Sequence, residues 1–127
     1  MTIATLAPAP APRIEFDHAV LTRICARHGA AAESYLAALL GEIEGELARL
    51  AVHADRAEYA GIETTCGRLL DLAERIGMTT LGTCTRAVLD CLRDGDGTAL
   101  SACLARLLRL SEPESLRGWA VTGAPAA

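Results

Sequence analysis

Apolar residues recur at intervals of three and four along most of the chain, the period of helices that each bury one face. In FDHAVLTRICARHG, Val20, Leu21 and Ile24 form one stripe with Cys25 beside it, which predicts a short first helix. Asp17 can cap its start, Phe16 can staple onto Leu21, and Gly29 can end it. From about Ala32 to Val52, the positions Leu36, Leu39, Leu40, Ile43, Leu47 and Leu50 keep the same spacing and predict the clearest helix in the chain. Asp55 can cap a third helix, with Tyr59, Ile62, Cys66, Leu69, Ala73 and Ile76 as its stripe and Gly77 as its stop. A fourth begins near Thr80, buries Leu81, Cys84, Val88, Cys91 and Leu92, and ends at Asp94 and Gly95. Asp96 caps a fifth, with Leu100, Cys103, Leu107 and Leu110 on one face, and Pro113 prevents its continuation.

Loops of a few residues between such helices place neighbours antiparallel. The expected fold is therefore all-α, an up-down antiparallel four-helix bundle with the short first helix as a lid. Residues 1–14, with Pro8, Pro10 and Pro12 alternating with alanine, read as a flexible arm, 15–119 as the bundle and 120–127 as a flexible tail.

Composition agrees with this picture. The chain has 127 residues, the size of one domain, and only four aromatic side chains (Phe16, Tyr35, Tyr59, Trp119), so Leu, Ile, Val and Ala must build the core. Every basic residue other than histidine is Arg, and 16 acidic against 12 basic residues give a net charge of -4. That balance supplies no positive field for nucleic acid. No apolar run approaches the roughly 20 residues that span a bilayer, so no membrane is expected as a partner. The start of the chain does not read as a secretory signal. The five cysteines are odd in number and form no C-x-x-C pair, and a reduced, cytoplasmic setting is expected.

Candidate chemistry is sparse. Cys66, Cys84, Cys91 and Cys103 fall on apolar stripes and Cys25 at the edge of one, where a thiol acts as a small hydrophobe. His18 follows Glu15 at the E-x-x-H spacing of di-iron bundles, but a second such motif and further carboxylates are missing. No metal and no cofactor are expected. His28 precedes Gly29, where a cation suits a helix C-terminus. Glu42, Glu44 and Glu46 read as a solvated face. No phosphate-binding loop, nucleophile elbow or zinc-protease motif occurs, so an enzyme is not expected.

The order of helices and the phrase ERIGMTTLGTCTRAVLDCLRDGDGTAL resemble a histidine phosphotransfer (HPt) domain over about residues 15–112. Members of that family begin with an "F-D-x-x-V-L" helix, here Phe16 to Leu21, followed by a long helix and a "G-D"-like turn, here Ala54-Asp55. A helix bearing H-x-x-K-G comes next, then "N-L-G-A" with an "L-x-x-x-C-x-x-L-E" helix and a second "G-D" turn, here Gly95-Asp96. If Gly77 matches the glycine of "L-G-A", the phospho-accepting histidine, ten residues earlier, is Gly67 here. The family's lysine is Leu70 and the glycine after it Asp71. No histidine occurs from Ala54 to the end of the chain.

The resemblance implies a protein of bacterial two-component or phosphorelay signalling, whose third helix docks a response-regulator receiver domain or a histidine kinase. Gly67, Arg68, Leu70, Asp71 and Glu74 would form that docking face, since steps of three and four return to one side of a helix. Without the histidine the expectation is a non-catalytic binding module with no catalytic residue. Two alternatives stand beside it. An active phosphotransfer protein could use His53, with Arg56 three residues on, although His53 sits where the second helix ends and Asp55 begins the third. A small helical metal or redox protein could use the cysteines and histidines. A helix stripe left uncovered by a four-helix core would favour a homodimer.

Overall fold

The structure, a computed structural model, describes residues 13–111. These are all-helical: α1 His18–His28, α2 Ala32–Asp55, α3 Tyr59–Ile76, α4 Thr79–Asp94 and α5 Gly97–Leu108, with 3-10 turns at Gly29–Ala31 and Arg109–Ser111. Among them there is no β-strand, only an isolated antiparallel bridge between Phe16 and Met78. The proline-rich arm up to residue 12, Pro113, Trp119 and the tail from 120 lie outside the described residues.

The helices pack in chain order, α2 on α3, α3 on α4 and α4 on α5, while α5 also touches α2, and α1 lies on α2 and α3. One apolar cluster joins them. Leu39, Ile43, Leu47 and Leu50 enter it from α2; Ile62, Cys66, Leu69, Ala73 and Ile76 from α3; Leu81, Cys84 and Val88 from α4; Leu100 and Leu107 from α5. These are the stripes the period predicts, and each fully buried Leu, Ile or Val contributes about 1.5–3 kcal/mol relative to an exposed one. Within this core the buried Thr85 hydroxyl finds no hydrogen-bond partner among the described residues.

Caps and stops fall where the sequence puts them, with one exception. The Asp17 carboxylate accepts from the Ala19 N–H at 2.9 Å and that of Asp96 from Ala99 at 3.0 Å. Gly29, Gly77 and Gly95 end α1, α3 and α4. The exception is Asp55, which does not cap α3 but is the last residue of α2, so α2 runs past Val52. Glu58 N–H bonds to the His53 carbonyl and Ala57 N–H to that of Ala54, a Schellman turn with Ala57 at φ 53 in the left-handed position. Glycine usually takes that position, so this stop carries no glycine signal. The shift leaves Tyr59 as the first residue of α3, 59% exposed instead of part of the stripe.

Residues 13 and 14, expected in the flexible arm, are held in place together with 15–17. They strap the α3–α4 turn: Asp17 N–H donates to the Gly77 carbonyl at 2.7 Å and Thr79 N–H to that of Glu15 at 3.0 Å. The Thr80 hydroxyl accepts from Glu15 N–H at 2.7 Å and donates to the Arg13 carbonyl at 2.8 Å. Ile14 is thereby a core residue. Phe16, expected to staple Leu21, packs against the core beside Met78.

Gly77 anchors this junction. It has φ 74, and a Cβ built on it would lie 2.7 Å from Val20 Cβ of α1. Gly95, at φ 71, has open space around its Cβ position. Gly77→Ala is therefore expected to destabilise by about 2 kcal/mol or more and Gly95→Ala by about 1 kcal/mol, the left-handed backbone alone; urea unfolding of the two variants checks the order.

Burial also pushes the Cys66 thiol from its usual 9.0 up to about 12. A folded-state pKa above the unfolded one gives stability that is fully present below about pH 9 and lost as pH rises towards about 12. Denaturant midpoints should fall across that window, and Cys66→Ala, though less stable at neutral pH, should fall less steeply.

Candidate functional site

The burial of α3 decides what it shows to solvent. Ile62, Thr65, Cys66, Leu69, Leu72, Ala73 and Ile76 are buried, so at about 100° per residue Gly67 and Asp71 point away from the core. Both are exposed. They border a groove of about 370 Å³ between α2 and α3, lined also by Glu42, Glu46, Thr64, Arg68, Leu72 and Arg75.

The second helix supplies the other wall. Glu42 and Glu46, four residues apart, both reach the groove, and Glu46 is the more enclosed, its side chain only 13% exposed. Its Oε2 accepts from Arg49 Nη1 at 2.8 Å. Its Oε1 is shut off from solvent and accepts no hydrogen bond from the described residues, the Arg68 guanidinium standing 3.9 Å away. The acidic run is thus not one solvated face: Glu44 is exposed, while Glu46 is a half-buried wall of the groove. Arg75 pairs with Asp71 at 3.9 Å within α3. Each guanidinium in the groove therefore already faces a carboxylate.

The five residues expected on one docking face divide between two flanks. Gly67, Arg68 and Asp71 line the groove towards α2. Leu70, half-buried, and Glu74 are not among its walls; Glu74 faces α4 and meets Arg86 at 3.8 Å. The sequence reading missed Glu42, Glu46, Thr64 and Arg75. The step of four from Glu42 to Glu46, and the steps of four, three and four through Thr64, Arg68, Asp71 and Arg75, could have signalled two facing rows, but only the pairing of α2 with α3 brings those rows together.

Gly67 is exposed in the middle of α3, and a Cβ there would meet nothing within 4 Å. No contact among the described residues asks for glycine. Gly61 is the opposite case, because a Cβ there would fall on the His53 imidazole. The His53 ring lies on the α3 backbone, with Nδ1 3.0 Å from Glu58 Oε1. It thus bridges the α2–α3 turn from the last turn of α2, a position separate from the groove. Arg56 sits in the turn beyond that helix.

The other histidines have local roles. His28 stacks on Tyr35 with ring centroids 4.0 Å apart, and His18 is exposed at the start of α1. Among the described residues no group of three or more His, Cys, Asp or Glu side chains is placed to hold a metal ion, and no helix is long and apolar enough to cross a membrane. No family model, no curated protein and no solved structure matches the chain.

The open space around Gly67 has a direct energetic consequence. Glycine inside a helix costs about 0.5–1 kcal/mol relative to alanine, and nothing here offsets that cost. Gly67→Ala is expected to raise the melting temperature by about 2–8 °C, measured by thermal unfolding; an unchanged or lower value would show that the groove needs the bare backbone for folding.

Proposed function

We propose that the chain is an HPt-like module of bacterial two-component signalling that binds a response-regulator receiver domain or a histidine kinase through the exposed face of α3, without carrying a phosphoryl group. The observation that carries this reading is Gly67. At the position where the resembling family keeps its reactive histidine, the helix presents bare backbone beside an open groove, and no contact among the described residues accounts for the glycine. A missing side chain lets a partner approach the helix closely.

The packing order and short links support the up-down antiparallel four-helix arrangement of that family, with helix connections at residues 56–58, 77–78 and 95–96. The polar chemistry of the groove suits docking better than transfer. A phosphoryl group placed at Gly67 would face Asp71, Glu42 and Glu46, and the nearby Arg68 and Arg75 are already paired. The Arg75–Asp71 pair is exposed on both sides, and such pairs are worth at most about 1 kcal/mol, so a partner's own charges can replace it at little cost. Glu46 Oε1 adds an acceptor that lacks a donor among the described residues, and half-buried Leu70 offers an apolar contact on the other flank. A cytoplasmic setting follows from the partners proposed.

The test is a titration of the full chain against receiver and kinase domains of its host. Binding by the natural chain should weaken by about tenfold or more in Gly67→Arg and in Leu70→Arg, with helicity unchanged, since a side chain at Gly67 meets open space and Leu70 is not part of the core cluster. Absence of binding to every such domain would overturn the reading. A phosphorylated donor should leave no label on the chain; acid-labile label that disappears in His53→Gln would show a working transfer protein instead.

A further inference from the structure

The α4–α5 interface holds a group of thiols that the docking reading does not use. Cys91, in the last turns of α4, and Cys103, in the middle of α5, are both partly exposed, and their Sγ atoms lie 3.6 Å apart. Closing that gap to a disulfide length of about 2.05 Å takes roughly 1.5 Å of sulfur movement, within reach of side-chain rotation on two helices already in contact. Cys84, further back on α4, is buried. Cys25 is exposed but lies on α1, and Cys66 is enclosed in the core.

We propose that Cys91 and Cys103 form a redox modification site, a dithiol that a small-molecule disulfide oxidises to a bond stapling α4 to α5. In the first step one thiol, as its thiolate, attacks a sulfur of the oxidant, forming a mixed disulfide and releasing one oxidant thiol. The second cysteine then attacks the protein sulfur of that mixed disulfide and releases the other oxidant thiol. Two electrons and two protons pass from the protein to the oxidant, which leaves as two thiols. The partial exposure of both sulfurs admits the oxidant, and their contact makes the second step intramolecular.

The environment sets the speed of this reaction. Burial, the hydrogen bond with Cys103 and the negative charges of Asp96 and Asp94 all raise the Cys91 pKa. A thiol held protonated attacks slowly at neutral pH. Oxidation should accordingly accelerate as pH rises, and the bond, once made, should resist reduction because thiols of high pKa are poor leaving groups.

The bond would close the short segment between the two cysteines, which contains the Gly95-Asp96 turn. Cross-linking restricts the unfolded chain, so the staple reads out as a higher melting temperature.

The experiment treats the full reduced chain with a small-molecule disulfide under anaerobic conditions, followed by cleavage after arginine and mass analysis. Arg86, Arg93 and Arg106 separate Cys84, Cys91 and Cys103 into three different peptides. The expected product is a monomer in which the peptide 87–93 is linked to 94–106, the linked pair lacking two hydrogens relative to the two reduced peptides. Its melting temperature should rise by about 5 °C or more, and thiol treatment should reverse both changes. Cys91→Ser and Cys103→Ser should each stop at the mixed disulfide. Stable mixed disulfides at Cys91 or Cys103 of the natural chain, or a link through Cys84, would overturn the assignment, whereas a mixed disulfide at exposed Cys25 is separate from it. So would a linked pair whose melting temperature is unchanged or lower.

Discussion

The burial of one side of α3 is the constraint on which the rest of the structure depends. This helix touches α1, α2 and α4, and its stripe from Ile62 to Ile76 is the part of the core they share. A helix held on that side has no rotational freedom left. Turning α3 by even one residue, about 100°, would draw Asp71 or Arg75 towards the core and expel Leu69 or Ile76. The outward position of Gly67 is thus a consequence of apolar packing several ångströms away, and the proposed docking face inherits its rigidity from the core.

The ends of α3 are secured by different devices. At its start, the His53 imidazole lies over Gly61 and reaches Glu58, tying the end of α2 to the beginning of α3. At its end, Gly77 turns the chain while residues 13–17 strap the turn through backbone and threonine hydroxyl bonds. Val20 closes over Gly77 from α1. The short first helix therefore does more than cover the core: it fixes the junction from which α4 departs. Between these two anchors the groove of α2 and α3 stays open and polar, with the exposed Arg75–Asp71 pair weak enough to be exchanged.

Most of the helical order was legible from the spacing of apolar residues, because each stripe is buried on one side only and keeps its period. Asp17, Asp96, Gly29, Gly77 and Gly95 were legible for the same reason that caps work at all: each satisfies a helix terminus by local chemistry. Asp55 misled because the real stop of α2 uses Ala57 in a left-handed conformation, a choice without a sequence signature. Ile14 was hidden next to a proline-rich run, although its burial depends on hydrogen bonds to Thr79 and Thr80, over sixty residues away. The candidate site was half legible. The α3 face follows from helical spacing, but the contribution of Glu46 and the contact of Cys91 with Cys103 depend on how neighbouring helices align, and no single-helix period encodes that alignment.

The proposed account rests on where a partner touches this surface, and amide chemical shifts during a titration with a receiver or kinase domain measure that residue by residue. The account predicts that the largest changes fall on Glu42, Glu46, Thr64, Gly67, Arg68, Leu70 and Asp71, with the far sides of α4 and α5 unaffected. Changes centred on α5, on α1 or on the His53 turn, with the groove silent, would contradict it.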